Sequence, residues 1–300
     1  FHALLHGSHF PHFENFHLRR KSAAVLKYFE WICKRSILIS QITLPVLANP
    51  TLTTAIAQYL PTCLPSLTAA EFYSVYNPSI QDTDAIVHLV IPVCCNLTAL
   101  KIDSCDGLSE DLFWLVARSC PNLHHLEVTG GRHITPHTES TALKLPALRT
   151  LMMRGTLLRQ ELLEKLAGAT GSLECLVLTY CSLPSQLPDQ IQLWSNLLRL
   201  NILGDISENV FISIVQCNQN LNAINVTGAH LTLSDDTLFC IAKSCVKLTA
   251  LTLQASNASD AGLRVLLQKC TNLTHLDIDW NHLTSSSSTI CSAIAAFGVN

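Results

Sequence analysis

The sequence predicts an α/β solenoid, a curved horseshoe with parallel strands on its concave face and helices on its convex face. Three observations lead there. A phrase of the form Leu-x-x-Leu-x-Leu, with Ile, Val, Met, Ala or Phe allowed at its apolar places, begins at Leu97, Leu123, Leu148, Leu173, Leu197, Leu221, Leu248 and Leu273, at spacings of 26, 25, 25, 24, 24, 27 and 25. In the clearest units Ser109, Ser234 and Ser259 each stand 11 residues before Cys120, Cys245 and Cys270, with apolar residues three to four apart between them. Hydrophobic residues make up 48% of the 300-residue chain and charged ones 14%, which excludes disorder and gives each unit a side to bury. One strand and one helix per ~25 residues, at a steady period, marks units that hide their apolar faces only by stacking.

Taken in chain order, residues 1–21 are expected to be a flank or cap, rich in His2, His6, His9, His12 and His17 and in Phe1, Phe10, Phe13 and Phe16. We read these histidines as surface or capping residues rather than a metal site. Ser22 to Cys33 has the apolar spacing of an amphipathic helix, so the solenoid of about ten units is expected to occupy residues 22–300. Two looser copies of the phrase, at Ile39 (Ile42, Leu44) and Leu67 (Ala70, Phe72), precede the clear ones. Strands are then expected at Leu97–Ile102, Leu123–Val128, Leu148–Met153, Leu173–Leu178, Leu197–Ile202, Leu221–Val226, Leu248–Leu253 and Leu273–Ile278, all parallel in one curved sheet. In the second half of the unit the serine can cap free backbone amides, and Glu110, Asp235 or Asp260 lies in the first turn, where the helix dipole favours negative charge. Two units depart from this. Thr170 stands where cysteine is expected, and Leu183-Pro184-Ser185-Gln186-Leu187-Pro188 predicts an irregular or shorter convex segment. The place after each strand reads Cys105, Gly131, Thr156, Cys181, Asp205, Ala229, Ser256 and Asn281, a mixed ladder that leaves some backbone to water. Ile290 to Phe297, after the polar run Ser285 to Ser288, is expected to be a last convex helix.

Thirteen cysteines could mean disulfides, zinc or thiol packing. Many of them recur at one place in the repeat, where each is a small buried hydrophobe, and no CxxC pair seeds a zinc site. Cys120, Cys217, Cys245 and Cys270 are therefore expected to be reduced and buried at helix ends, which points to the cytoplasm or nucleus. Of four N-x-S/T matches, those at Asn96 and Asn272 are the repeat's own Asn-Leu-Thr phrase leading into a strand; the others lie at Asn225 and Asn257.

The run Ser259-Asp260-Ala261-Gly262-Leu263 through Cys270-Thr271-Asn272-Leu273-Thr274-His275-Leu276-Asp277-Ile278 resembles the cysteine-containing leucine-rich repeats of F-box proteins, and the resemblance extends over about residues 37–278. It implies a protein-recognition solenoid and, one step further, the substrate-recognition part of an SCF-type E3 ubiquitin ligase. Phe10 to Leu18 loosely resembles the aromatic stretch that links an F-box to its repeats, while the F-box itself is not in this sequence. Because the chain opens on Phe1, we expect a piece of a longer protein, in which a Skp-type adaptor could bind through an upstream F-box. The alternative is a leucine-rich-repeat scaffold or regulator without an F-box.

Other functions find little support. A net charge of -3 argues against nucleic acid or an anionic membrane surface as the main partner, and no apolar run reaches the ~18 residues of a membrane span. Glycine-rich phosphate loops, a GxSxG elbow and an HExxH helix do not occur. No catalytic, cofactor or metal residues are therefore assigned, and an enzyme is the remote alternative. His124 and His125 are expected to project from the inner face as partner-binding residues.

The candidate site follows from strand geometry. Residues between the inward leucines point outward, and stacking turns them into columns. One runs Glu71, Lys101, Glu127, Met152, Val177, Asn201, Asn225, Thr252, Asp277; the next runs Tyr73, Asp103, Thr129, Arg154, Thr179, Leu203, Thr227, Gln254, Asp279. The protein-binding residues are expected to be Lys101, Asp103, His125, Glu127, Met152, Arg154, Val177, Thr179, Asn201 and Leu203, with Met152, Val177 and Leu203 as an exposed apolar middle inside a polar surround.

Overall fold

In the computed structural model, residues 27, 41–46, 67–74, 88–103, 109–130, 142–184, 194–228, 233–254 and 259–279 are described. Ten strands form one parallel sheet in sequence order: β1 (Gln41–Val46), β2 (Ala69–Ser74), β3 (Ala99–Asp103), β4 (His125–Thr129), β5 (Thr150–Arg154), β6 (Cys175–Thr179), β7 (Arg199–Leu203), β8 (Ala223–Thr227), β9 (Ala250–Gln254) and β10 (His275–Asp279). Among the described residues, the complete α-helices are α1 (Asp111–Ser119), α2 (Gln160–Ala169), α3 (Glu208–Cys217), α4 (Asp235–Ser244) and α5 (Asp260–Lys269). Each leads into a strand parallel to the one before it, the arrangement of a leucine-rich-repeat solenoid. The two looser copies of the phrase are strands β1 and β2. Among the described residues no helix is long and apolar enough to cross a membrane. The flank at residues 1–21, the convex segment 185–193 and the expected last helix at 290–297 lie outside the described residues, as does the helix expected from Ser22 to Cys33 apart from helical Lys27.

From β3 onward every strand begins two residues later and ends one later than expected. The reason is local. The first leucine of each phrase still belongs to the turn that leads into the strand: Leu97, Leu123, Leu148, Leu173, Leu197, Leu221, Leu248 and Leu273 donate their amides to the carbonyls of Cys94, Cys120, Leu145, Thr170, Trp194, Asn218, Cys245 and Cys270, at 3.0–3.3 Å. All eight leucines are buried, and with Leu100, Leu126, Leu151, Leu176, Leu200, Ile224 and Leu251 they form a continuous spine. Helix faces such as Leu112, Val116, Leu162, Leu166, Phe211, Ile214, Leu238 and Leu266 close over it.

The eight residues accepting those amides form a ladder through the molecule. Cys120 Sγ points to the Cys94 carbonyl at 3.4 Å, Cys245 to Asn218 at 3.7 Å and Cys270 to Cys245 at 3.5 Å, so each thiol serves as a weak donor toward the previous unit. Cys217 does not belong to it. It is half-buried as the last residue of α3, and Asn218 holds the ladder place, fully buried. The expectation was one residue out of register because this unit substitutes the amide for the thiol. Cys120, Cys245 and Cys270 are free and buried, and burial pushes their thiols up to about 12, 12 and 11. Since the thiolate is the reactive form, a maleimide at neutral pH should label exposed Cys95 within minutes and these three only once urea opens the array, read by mass spectrometry. Prompt labelling of Cys245 in the folded protein would contradict the ladder.

At the other end of each helix, acids do more than meet a dipole. Ser234 Oγ accepts the Asp236 amide at 3.2 Å and Ser259 Oγ the Ala261 amide at 3.1 Å, the expected caps. Ser109 is not one: α1 is preceded by Glu110 in helical backbone, with no side-chain cap. The first-turn acid of one helix reaches the cap residue of the next unit. Glu208 accepts from the Ser234 amide (2.7 Å), the Ser234 hydroxyl (2.8 Å) and the Thr237 hydroxyl (2.6 Å). Burial alone would raise its carboxyl, yet the hydrogen bonds from Thr237 and Ser234 outweigh it and hold the group below its ordinary value. Asp235 likewise accepts from the Ser259 amide and hydroxyl, both at 2.6 Å. Glu110 makes a longer reach, pairing with Arg159, which occupies the N-cap position of α2 without a side-chain cap of its own.

Gly262 makes room for this relay, because a Cβ built there would collide with the Asp235 carboxylate. Gly262→Ala should therefore lower stability by about 1 kcal/mol in urea melts: losing the Asp235 to Ser259 contact costs more than the ~1 kcal/mol that alanine returns to a helix. In an Asp235→Ala background the same change should become stabilising, and a stabilising effect without that background would sink the account.

Candidate functional site

Strand pairing places the outward columns in register. Glu71, Lys101, Glu127, Met152, Val177, Asn201, Asn225, Thr252 and Asp277 are successive partners from β2 to β10. In the second column Thr129, Arg154, Thr179, Leu203 and Thr227 are paired in the same way, as are Tyr73 with Asp103 and Gln254 with Asp279. All ten sequence-predicted site residues therefore lie on one face of β3 to β7, here called the strand face.

Its N-terminal part is a charge cluster that is largely self-satisfied. Lys101 Nζ lies 3.2 Å from Glu71 and 3.6 Å from Glu127, with Asp103 near enough to act on it. Burial would lower the lysine, but Glu127 and Glu71 outweigh it and hold the ammonium above its ordinary value. Burial raises Glu127, only partly opposed by Lys101. Burial and then Lys101 hold the His125 imidazole below its ordinary value, which favours its neutral form. It does not form a pair with His124. His125 opens β4 and alternates with Glu127 and Thr129, whereas His124 precedes the strand and is exposed, because neighbours along extended backbone point apart.

The apolar middle is less exposed than expected: Met152 and Leu203 are half-buried, and Val177 is only 5% exposed. Its side chain is shorter than those of Met152 and Asn201 on either side, and it lies among them as a floor. Around it stand Thr150, Cys175 and Arg199 in one row and Arg154, Thr179 and Leu203 in another. Arg154 and Arg199 are exposed.

Two contributors escaped the sequence reading. Arg199 opens β7 in the row outside the two columns, where the alternation of β7 (exposed, buried, half-buried, buried, half-buried) would have found it. Tyr180 is the other. The residue after a strand turns into the left-handed region at Gly130, Gly155 and Gly204, with φ of 89°, 64° and 128°. Tyr180 does the same at φ 51° without being glycine, and it is 60% exposed. A bulky residue in that region is strained, and such strain clusters at functional sites. Gly204 is required beside it, since a Cβ there would meet the Tyr180 backbone at 3.2 Å and 3.3 Å. The signal in the sequence was Tyr180 standing where the neighbouring units carry glycine.

The mixed ladder after the strands is described at three places. Thr156 and Cys181 are buried and supply their own donors, to the Gly130 carbonyl at 2.9 Å and the Met153 carbonyl at 3.3 Å, while Asp205 is exposed. Among the described residues no group of three or more His, Cys, Asp or Glu is arranged to hold a metal ion.

No family model matches the chain, and no curated protein matches it. Solved structures do. A structural-genomics target protein of Bacteroides fragilis is 14% identical, with a TM-score of 0.44 over 84% of this chain and 68% of that one. Rad7, in the crystal structure of the yeast Rad7 and Elc1 complex, is 15% identical, with a TM-score of 0.43 over 92% of this chain and 81% of that one.

Proposed function

We propose that this solenoid recognises another protein through the strand face of β3 to β7 and has no catalytic chemistry of its own. The supporting observation is the register itself: ten outward residues on five successive strands form one surface, with Met152, Val177 and Leu203 at its centre and charged or polar groups around it. Apolar centres with polar rims are what protein interfaces use, and rigid tyrosine and arginine are enriched where binding energy concentrates. The role as substrate-recognition part of an SCF-type ubiquitin ligase, in the cytoplasm or nucleus, rests on the repeat resemblance alone. A Skp-type adaptor binding through an F-box is the partner that role requires, and co-elution of the natural full-length protein with such an adaptor tests it.

Met152→Asp tests the face. A charge at a desolvated contact costs several kcal/mol, while on a half-exposed surface it costs little. Proteins captured by the wild-type chain should be lost from the variant, with the melting temperature within a few degrees. Val177→Asp is not an equivalent test, because burial at that position makes it destabilise the fold. Unchanged capture by Met152→Asp would move the binding site off this face.

A further inference from the structure

We propose, resting on the reading of the strand face as the binding surface, that its occupant is an extended acidic peptide segment, with one carboxylate on Arg154, a second on Arg199 and an apolar side chain between them over Val177. Three observations point there. The cations of this face differ in kind: Lys101 is held between Glu71 and Glu127, whereas neither the Arg154 nor the Arg199 guanidinium has an ion pair or hydrogen bond among the described residues. Arg149, just outside β5, is likewise already paired, with Glu174. The two arginines also sit at opposite corners of the three-strand block β5 to β7, since Arg154 pairs with Thr179 and then Leu203, four residues along β7 from Arg199. Two inter-strand steps of ~4.8 Å and four residues of ~3.3 Å separate their Cα atoms by about 16 Å, which an extended peptide spans in about five residues. Finally, the low point between those corners is apolar, Val177 flanked by Met152.

Arginine suits this task because its planar fork takes a carboxylate through two parallel hydrogen bonds. A polyanion fits less well. A nucleic acid strand lying along this face would meet Glu71, Glu127 and Asp277 in the adjacent column, so the negative charge the site accepts is local and bracketed.

The test uses the full chain and fluorescein-labelled peptides in which two glutamates, two to seven residues apart, flank a central leucine, with an acid-free peptide and a single-stranded oligonucleotide as comparison probes, read by fluorescence anisotropy. Affinity should peak at a separation of four to five residues and weaken as salt rises. It should fall at least about tenfold in Arg154→Ala and in Arg199→Ala, and further in the pair, while Arg264→Glu on the helix side changes nothing. Circular dichroism confirms that these exposed-site variants remain folded. Affinity independent of glutamate spacing, no binding above the acid-free peptide, or stronger arginine-dependent binding of the oligonucleotide overturns the proposal. If the arginine variants retain natural partners that Met152→Asp loses, the strand face stands and the acidic occupant falls. If Met152→Asp retains them as well, the face itself is wrong.

Discussion

Replacing Trp194 with alanine should lower the unfolding free energy by about 3–5 kcal/mol, the usual cost of emptying a buried aromatic site. Trp194 stands where other units place a cysteine, and it is 3% exposed at φ 51°. Its carbonyl accepts the Leu197 amide at 3.2 Å, as the ladder requires, while its indole Nε1 donates to Thr170 Oγ1 at 2.8 Å. Thr170 passes a hydrogen bond on to the Leu166 carbonyl at 2.7 Å. The tryptophan thus bulks out a unit whose convex sequence contains two prolines, and it orders the threonine that departs from the repeat before it. Trp194→Phe separates the contributions: it keeps most of the volume and gives up only the N–H, so it should lose about 1 kcal/mol. Urea melts of the two variants decide the matter. If alanine costs under about 1 kcal/mol, Trp194 fills no space that the fold depends on.

The second large effect is expected at Asn218. Its side chain is fully buried, donates from Nδ2 to the Ile214 carbonyl at 2.7 Å and accepts the Leu197 amide at Oδ1 at 2.9 Å. It therefore ties its own helix to the turn of the preceding unit. Asn218→Ala removes the donor to the buried Ile214 carbonyl and leaves the Leu197 amide with only its longer bond to the Trp194 carbonyl, so it should cost about 1–3 kcal/mol, the desolvation of a buried polar group that loses its partner. Asn218→Cys restores the residue found at other rungs and a sulfur that can reach a carbonyl. It cannot accept the Leu197 amide as well, so its cost should fall between wild type and alanine. Equal stability of the cysteine variant and wild type would show that the bridge between units contributes nothing. Hydrogen exchange at the Leu197 amide reports on the same bond directly, with faster exchange expected in the alanine variant.

Much of this architecture is legible before any coordinates. The ~25-residue recurrence of leucines implies parallel stacking, because a single unit cannot shed enough apolar surface from water to offset the ordering of its backbone. Side-chain alternation then assigns Glu71, Lys101, Glu127 and Met152 to one outward column, and the pairing of β2 to β5 follows it residue for residue. The thiols of Cys120, Cys245 and Cys270 are legible too, since they recur three residues before a strand leucine. Cys217 misled the reading because a cysteine one place early looks like the same signal, and only the backbone turn shows that Asn218 closes the helix.

What the sequence by itself determined is whatever depends on periodicity: the solenoid, the order of its strands and the set of side chains on its outward face. Tertiary structure alone decided which of those side chains remain available, because that depends on the heights of neighbours from other units. Val177 reads as exposed in its own strand and is buried once Met152 and Asn201 stand beside it. Lys101 and Arg154 read alike, yet stacking brings two glutamates to the lysine and, among the described residues, none to the arginine. The acids of the helix starts read as partners of their own dipoles, and stacking turns Glu208 and Asp235 toward the serines of the following unit. Contacts made across ~25 residues depend on pairs of units, and no pattern within one unit contains them.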